Sequence, residues 1–214
     1  MLSLLGVLGA LAAVVGALLA LSQNDVKRMF AYGGISHVGL ILIGVSLGNP
    51  TGFAGGMFYL INDAVMQAGL FFIAGAAIYR HQAHTVEEWS RLRGASPWMT
   101  FALVVLGMSM IGIPPTGGFF GKWYIVLGAM EAGNYLAVGA VVLSTLLTMA
   151  YFQRLFVSVF RDGQASPPAV RVETELSLRL SLGVTAVTVI ILGLCSDPII
   201  SFFQNTALAL SERL

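Results

Sequence analysis

Polar residues in this chain come in short clusters between long apolar runs. Residues 1–21 are apolar from end to end, enough to cross a hydrocarbon layer that takes about 20 helical residues. No basic residue precedes this run and no small-x-small site follows it, so it is expected to span rather than to be a signal peptide. Ser22 to Arg28 (SQNDVKR) is a polar connection. Residues 30–47 form a second run, Asn49-Pro50-Thr51-Gly52 predicts a tight turn, and 53–79 form a third. The first polar segment of any length is 80–97. Within it, 85–92 (TVEEWSRL) predicts a short surface helix with Thr85 and Glu88 as a capping box. Trp89 and Trp98 suit a lipid interface. The fourth run is divided into 98–113 and 119–130, the fifth is 135–160 and the sixth 176–200. A polar loop with Pro167-Pro168 covers 161–175, and 203–214 is a short amphipathic tail.

The expectation is an all-α, polytopic membrane helix bundle of six transmembrane segments, folded as a single membrane domain over 1–214. Its fourth segment breaks at Pro114, Pro115, Gly117 and Gly118. Prolines remove backbone donors and glycines relax a helix. A membrane helix accepts such a break where the freed carbonyls face protein or a watery cavity. Composition supports this reading. The chain is 57% hydrophobic and 10% charged, with a mean hydropathy of +0.86, whereas soluble domains carry about 25% charged residues. A net charge of +1 gives no argument for a nucleic-acid partner. The lone Cys195 excludes an internal disulfide and a cysteine metal cluster, and reads as a small packing residue.

The distribution of charge adds an orientation. With six crossings, Lys27, Arg28, Arg80, Arg91, Arg93, Arg154, Arg161, Arg171 and Arg179 fall on one side, Arg213 alone on the other, and Lys122 between. The positive-inside rule then puts the first side in the cytoplasm and both termini outside, in a bacterial or archaeal cytoplasmic membrane.

Ionisable and polar residues inside the spans are the candidate chemistry. Lys122 follows the break directly, at a depth where a charge costs several kcal/mol and is usually functional. Asp63 lies mid-span beside Asn62, with Gln67 four residues on and therefore on the same helix face. His37 titrates near neutral pH when unperturbed. Tyr32, Ser36, Ser109, Thr116, Ser144, Thr145 and Thr148 can hold water chains, though each alone more commonly bonds helix to helix. There is no Walker motif, dinucleotide fingerprint, CxxC pair or Ser/His/Asp arrangement. No intrinsic active site, cofactor or metal is expected.

Four stretches carry a family resemblance. DVKRMFAYGGISHVG (25–39), with Asp25, Lys27 and Arg28, resembles a signature of antiporter-like membrane subunits. These occur in respiratory complex I, membrane-bound hydrogenases and Mrp-type cation/proton antiporters. LINDAVMQAGLFFIAGA (60–76), IGIPPTGGFFGKWYIVLGAM (111–130) and LLTMAYFQRLFVSVF (146–160) are similar to its next helices, in the same order. The sequence at the break is most similar to the D-type member of the Mrp antiporters. Such subunits have about fourteen helices, including two inverted five-helix repeats. The chain resembles the last six: 1–160 the second repeat, and 176–200 an additional terminal helix. A fragment, a truncated gene or half of a split subunit would each look like this.

The resemblance implies a membrane subunit that carries protons or exchanges cations for protons. It would belong to a multi-subunit complex, such as an NADH-quinone oxidoreductase or a membrane-bound hydrogenase, with the missing N-terminal half among its partners. The alternative is a structural or assembly role without conduction. By position, Lys122 matches the lysine after the broken helix, at the outlet half-channel. Gln67 stands where many members carry a central lysine and Asp63 where many carry a histidine. Glutamine holds no proton charge, so a central relay would fall to Asp63 and His37, running from the cytoplasmic side through Asp63 and water to Lys122.

Overall fold

The computed structural model describes residues 2–92, 96–160 and 176–211. The polar loop 161–175, with Arg161 and Arg171, lies outside the described residues, as do Arg93 and Arg213. The described residues form eight α-helices and one short 3-10 helix, with no strand among them. These are α1 (Leu2–Ser22), α2 (Val26–Ser46), α3 (Pro50–His81), the 3-10 helix (Glu87–Leu92), α4 (Pro97–Ile111), α5 (Gly117–Glu131), α6 (Tyr135–Phe160), α7 (Leu176–Leu194) and α8 (Ser196–Ser211). Five of them, α1, α2, α3, α6 and α7, are long and apolar enough to cross a membrane. The fourth expected segment is two helices of 15 residues each.

Caps explain the starts of α2 and α3. Asp25 is the N-cap of α2, its carboxylate accepting from the Arg28 backbone N–H at 2.8 Å. The helix therefore starts four residues before the apolar run does. Asn49 caps α3 by accepting from Gly52 N–H, and Pro50 takes the first helical position, where a missing N–H costs nothing. The expected turn over 49–52 is thus the cap and first turn of α3. Its other end closes on Gln82 in the left-handed region, φ 49°.

The bundle has two ends. At the first end the α1–α2 connection is laced to the segment after α3. Val26 donates to the His84 carbonyl at 3.0 Å and Val86 to the Asn24 carbonyl at 2.9 Å. Arg154 of α6 donates to the Leu21 carbonyl and to Asn24 Oδ1. At the opposite end Asn49 Nδ2 donates to the Gly128 carbonyl at 2.7 Å, joining the start of α3 to the end of α5. Along the bundle, α1 lies against α2 through Gly9, Gly16 and Gly39, where any Cβ would meet the partner backbone.

Four expectations are corrected here. Trp89 is fully buried and donates to the Ala83 carbonyl at 3.2 Å. Its ring stands edge-on to Phe30, so it serves the core and not a lipid interface. The short helix near it is 3-10 and begins at Glu87; Glu88 does accept from Thr85 N–H, as a capping box requires. The run 176–200 is not one helix. It is interrupted at Cys195, which is exposed rather than packed. Asp197 and Pro198 there suit a new helix start better than a helix interior, so the tail helix begins at Ser196.

Candidate functional site

Every ionisable residue singled out inside the spans is buried at one level of the bundle, midway along α2 and α3. His37 Nδ1 lies 2.8 Å from Asp63 Oδ1, joining α2 to α3, and the imidazole is fully buried. When Asp63 is ionised, Nδ1 carries the hydrogen and donates it, which leaves Nε2 as the acceptor. Nε2 has no partner among the described residues. The pairing that remains once Gln67 is set aside is thus a direct contact.

Lys122 is buried on α5, one turn past the start of that helix. Its ammonium donates to the Met110 carbonyl at 2.8 Å and the Ile111 carbonyl at 3.1 Å. These belong to the final turn of α4, whose carbonyls have no helical partner and carry the negative end of the helix dipole. A cation is the fitting cap there. Two further carbonyls at the break have protein donors. Met108 accepts from Gly112 and Ile113 N–H, and Ile113 accepts from Thr116 N–H and Oγ1. These two are satisfied by the chain itself.

The interruption between α4 and α5 is 112–116, with Gly112 at φ 90° and a cis Pro114-Pro115 peptide. Gly117 and Gly118 are already the first turn of α5. They do not loosen the backbone; they allow close approach. A Cβ on Gly117 would meet the Asn62 amide, and one on Gly118 the Ser109 carbonyl. Asn62 in turn bonds Ser109 Oγ at 3.3 Å, tying α3 to α4 beside the break.

Tyr59 links the two ionisable clusters. Its ring lies edge-on to His37 at 5.5 Å between centroids, and Lys122 Nζ lies 5.9 Å from the same ring. Its buried hydroxyl has no partner among the described residues. Asp63 is the shared electrostatic neighbour of His37, Tyr59, Lys122 and Tyr151. Gln67 sits one turn further toward the first end, facing Gly34, with neither end of its amide bonded among the described residues. Tyr59, Asp63 and Gln67 therefore make one polar stripe along α3, at spacings of four. Tyr59 was the residue to add to the candidates: it lies four before Asp63, and that spacing alone would have found it. The carbonyls that hold Lys122 are backbone atoms and leave no sequence signal.

The smaller polar residues mostly bond helix to helix or to their own helix. Ser36 donates to the Ala13 carbonyl, and Ser144 and Thr148 to carbonyls one turn back. Thr145 differs. With Ile111, Gly112, Lys122, Trp123 and Val141 it lines an open groove of about 300 Å³ between the break and α6. Of the signature residues, Asp25 is a helix cap, and Lys27 and Arg28 are exposed at the first end.

Residues 1–148 match the family model described as NADH:quinone oxidoreductase/Mrp antiporter, transmembrane. The chain belongs to this family. Curated relatives are NADH-quinone oxidoreductase subunit N of Desulforudis audaxviator, 34% identical over 94% of this chain, and of Parvibaculum lavamentivorans, 34% identical over 92%. The chain spans only 42% and 41% of their lengths. Among solved structures, a chain of respiratory complex I from Thermus thermophilus superposes with a TM-score of 0.87 and 28% identity, over 99% of this chain and 44% of that one. A chain of the Mrp complex from Dietzia shares the fold, with a TM-score of 0.86 over 97% of this chain and 47% of that one, at 22% identity. The family resemblance of the four motifs is thereby borne out. The curated relatives named here are subunit N of NADH-quinone oxidoreductase, and the Mrp antiporters enter through the family model's description and the fold.

Proposed function

We propose that this chain is a proton-carrying module of an antiporter-like membrane subunit, acting inside a larger complex. The proton route runs from the first end past Gln67 to the His37–Asp63 pair, across the Tyr59 hydroxyl, and on to Lys122 and the groove beside it. The single observation that carries this reading is the continuous contact from His37–Asp63 through the Tyr59 ring to Lys122, spanning three helices at one depth. Unpartnered buried donors and acceptors on His37, Tyr59 and Gln67 are where water binds in a protein interior. Water and these groups together would complete the chain of hydrogen bonds.

In the same proposal, α4 and α5 together make one crossing. Each is about 22 Å long at 1.5 Å per residue, too short for a hydrocarbon layer of about 30 Å. Their outer ends approach opposite ends of the bundle. Trp98 bonds the Arg179 carbonyl near the first end, and Gly128 meets Asn49 at the other. Six crossings then leave both termini on one side, opposite the exposed Lys27 and Arg28.

One observation favours a second reading. The Lys122 bonds to Met110 and Ile111 are also what a purely structural helix cap would make. Two substitutions separate the readings in membrane vesicles, with subunit incorporation checked by immunoblot. Lys122→Arg keeps a cation for the cap but cannot release a proton at working pH. Proton transport is expected to fall on the order of 10²-fold in both Lys122→Arg and Lys122→Ala, the scale for losing a proton-transfer group. Full transport in Lys122→Arg with loss only in Lys122→Ala would establish the cap and overturn the relay.

A further inference from the structure

One buried ionisable group takes no part in the route above. Tyr151 of α6 is fully buried, and its hydroxyl has no partner among the described residues. An O–H taken out of water without a replacement bond costs stability. Thr148, three residues back on α6, gives its own hydrogen to the Ser144 carbonyl at 2.8 Å. Filling space here needs only a phenylalanine, which the chain uses at the next position, Phe152.

The surroundings of the hydroxyl follow from α2. His37 and Gly33 are four apart and share one face of that helix, as Asp63 and Gln67 do on α3. One turn from the His37–Asp63 pair, toward the first end, α2 therefore offers two glycines and no side chain. Groups from other helices reach in. A Cβ on Gly33 would stand 2.8 Å from the Tyr151 hydroxyl and 2.6 Å from Met110 Cε. A Cβ on Gly34 would stand 2.9 Å from Gln67 Nε2. The hydroxyl and the amide thus lie against consecutive residues of one helical turn. Both groups are buried, and neither is bonded among the described residues. Asp63, one turn along α3 from Gln67, is the electrostatic neighbour of Tyr151. Met110 bounds the site toward α4, and its carbonyl holds Lys122.

A buried phenol and a buried amide with open donors and acceptors are suited to water, which needs two to four polar partners in a protein interior. The two groups differ in what they do with a proton. An amide holds water through its donors and its acceptor but hands no proton on. A phenol gives its O–H proton to one water as it takes a proton from another. One O–H bond breaks as one forms, and the phenol ends neutral. We propose that Tyr151 is the proton-passing residue at the level of Gln67, working through water held between its hydroxyl and the Gln67 amide against Gly33 and Gly34. The inference rests on the route proposed above and moves its step before Asp63 from α3 to α6.

The water and the transport are tested separately. X-ray radiolysis makes hydroxyl radicals where water sits, and mass spectrometry locates the oxidised residues. The full chain in phosphatidylcholine nanodiscs is used. Tyr151 is expected to be oxidised on the same scale as Tyr79 and Tyr135, which are 83% and 76% exposed, while Phe58, as fully buried as Tyr151, stays unmodified. Gly34→Ala puts a methyl into the site by displacing only the end of the flexible Gln67 side chain, and should abolish oxidation of Tyr151. Gly139→Ala, with nothing within 4 Å of its Cβ, should leave it unchanged. Tyr151→Phe deletes only the hydroxyl. Proton flux in vesicles, normalised to incorporated subunit, should then fall about tenfold or more. A Tyr151 as inert as Phe58, or oxidation that survives Gly34→Ala, overturns the proposal whatever the flux. Unchanged flux in Tyr151→Phe overturns it even where Tyr151 is oxidised. Neither result alters the outcome for Lys122→Arg, which tests the route itself.

Discussion

Asp63 is the residue on which the centre turns, because its carboxylate is bonded to the His37 imidazole beside the ring that Lys122 faces. Asp63→Asn keeps a polar side chain of the same shape for His37 but removes the charge that both cations face. Transport is expected to fall on the order of 10²-fold, while assembly of the subunit is retained. Proton flux in vesicles, normalised to incorporated subunit, measures this, and unchanged flux would remove Asp63 from the route. Tyr59→Phe is more discriminating. It preserves the ring against His37 and Lys122 and deletes only the unpartnered hydroxyl. Flux should fall about tenfold or more with Phe. Retained flux would mean that the ring merely fills space. At this scale the sequence was informative wherever a polar group sat in apolar surroundings: His37, Asn62, Asp63, Gln67 and Lys122 were all legible. Their pairing was not, since α2 and α3 meet through tertiary contacts that one-dimensional spacing does not encode.

At the scale of elements, apolar runs found the helices and caps decided where α2 and α3 begin. Asp25, Asn49 and Pro50 moved the starts of α2 and α3 outward from the apolar runs, because a capped turn is helical whatever its polarity. The break was visible in Pro114-Pro115, yet the neighbouring glycines were easy to misjudge. Gly117 and Gly118 belong to α5 and serve close approach to Asn62 and Ser109. A direct check follows. Gly118→Ala should destabilise the chain by about 1–3 kcal/mol, the usual cost of overpacking, because its methyl falls on a backbone carbonyl. Gly139→Ala, with nothing within 4 Å of its Cβ, should be neutral or stabilising by up to about 1 kcal/mol. Thermal unfolding in detergent compares them, and equal effects would mean that the glycine pair has no packing role. The interruption at Cys195 was masked by the apolarity of its flanks, although Asp197-Pro198 gave a helix-start signal.

For the molecule as a whole, the basic residues led to a sidedness that the hydrogen bonds at the two ends make testable. In a Cys195→Ser background, a cysteine at Asn134 should react with an impermeant reagent added to intact cells. One at His84 should react only after permeabilisation, and the reverse pattern would invert the orientation. The two interrupted stretches matter at this scale as well. The backbone of Gly193, near the end of α7, lies directly against the Pro115 carbonyl and Thr116, so both interruptions come to the same depth. Four helix ends therefore meet at one level, while α1, α2, α3 and α6 pass through it unbroken. Helices bend where their hydrogen-bond ladder is cut and resist bending elsewhere. The bundle thus has stiff posts on one flank and a waist on the other, and Lys122 is the residue fastened across that waist. A change in the charge of its ammonium would change how firmly α5 holds the last turn of α4.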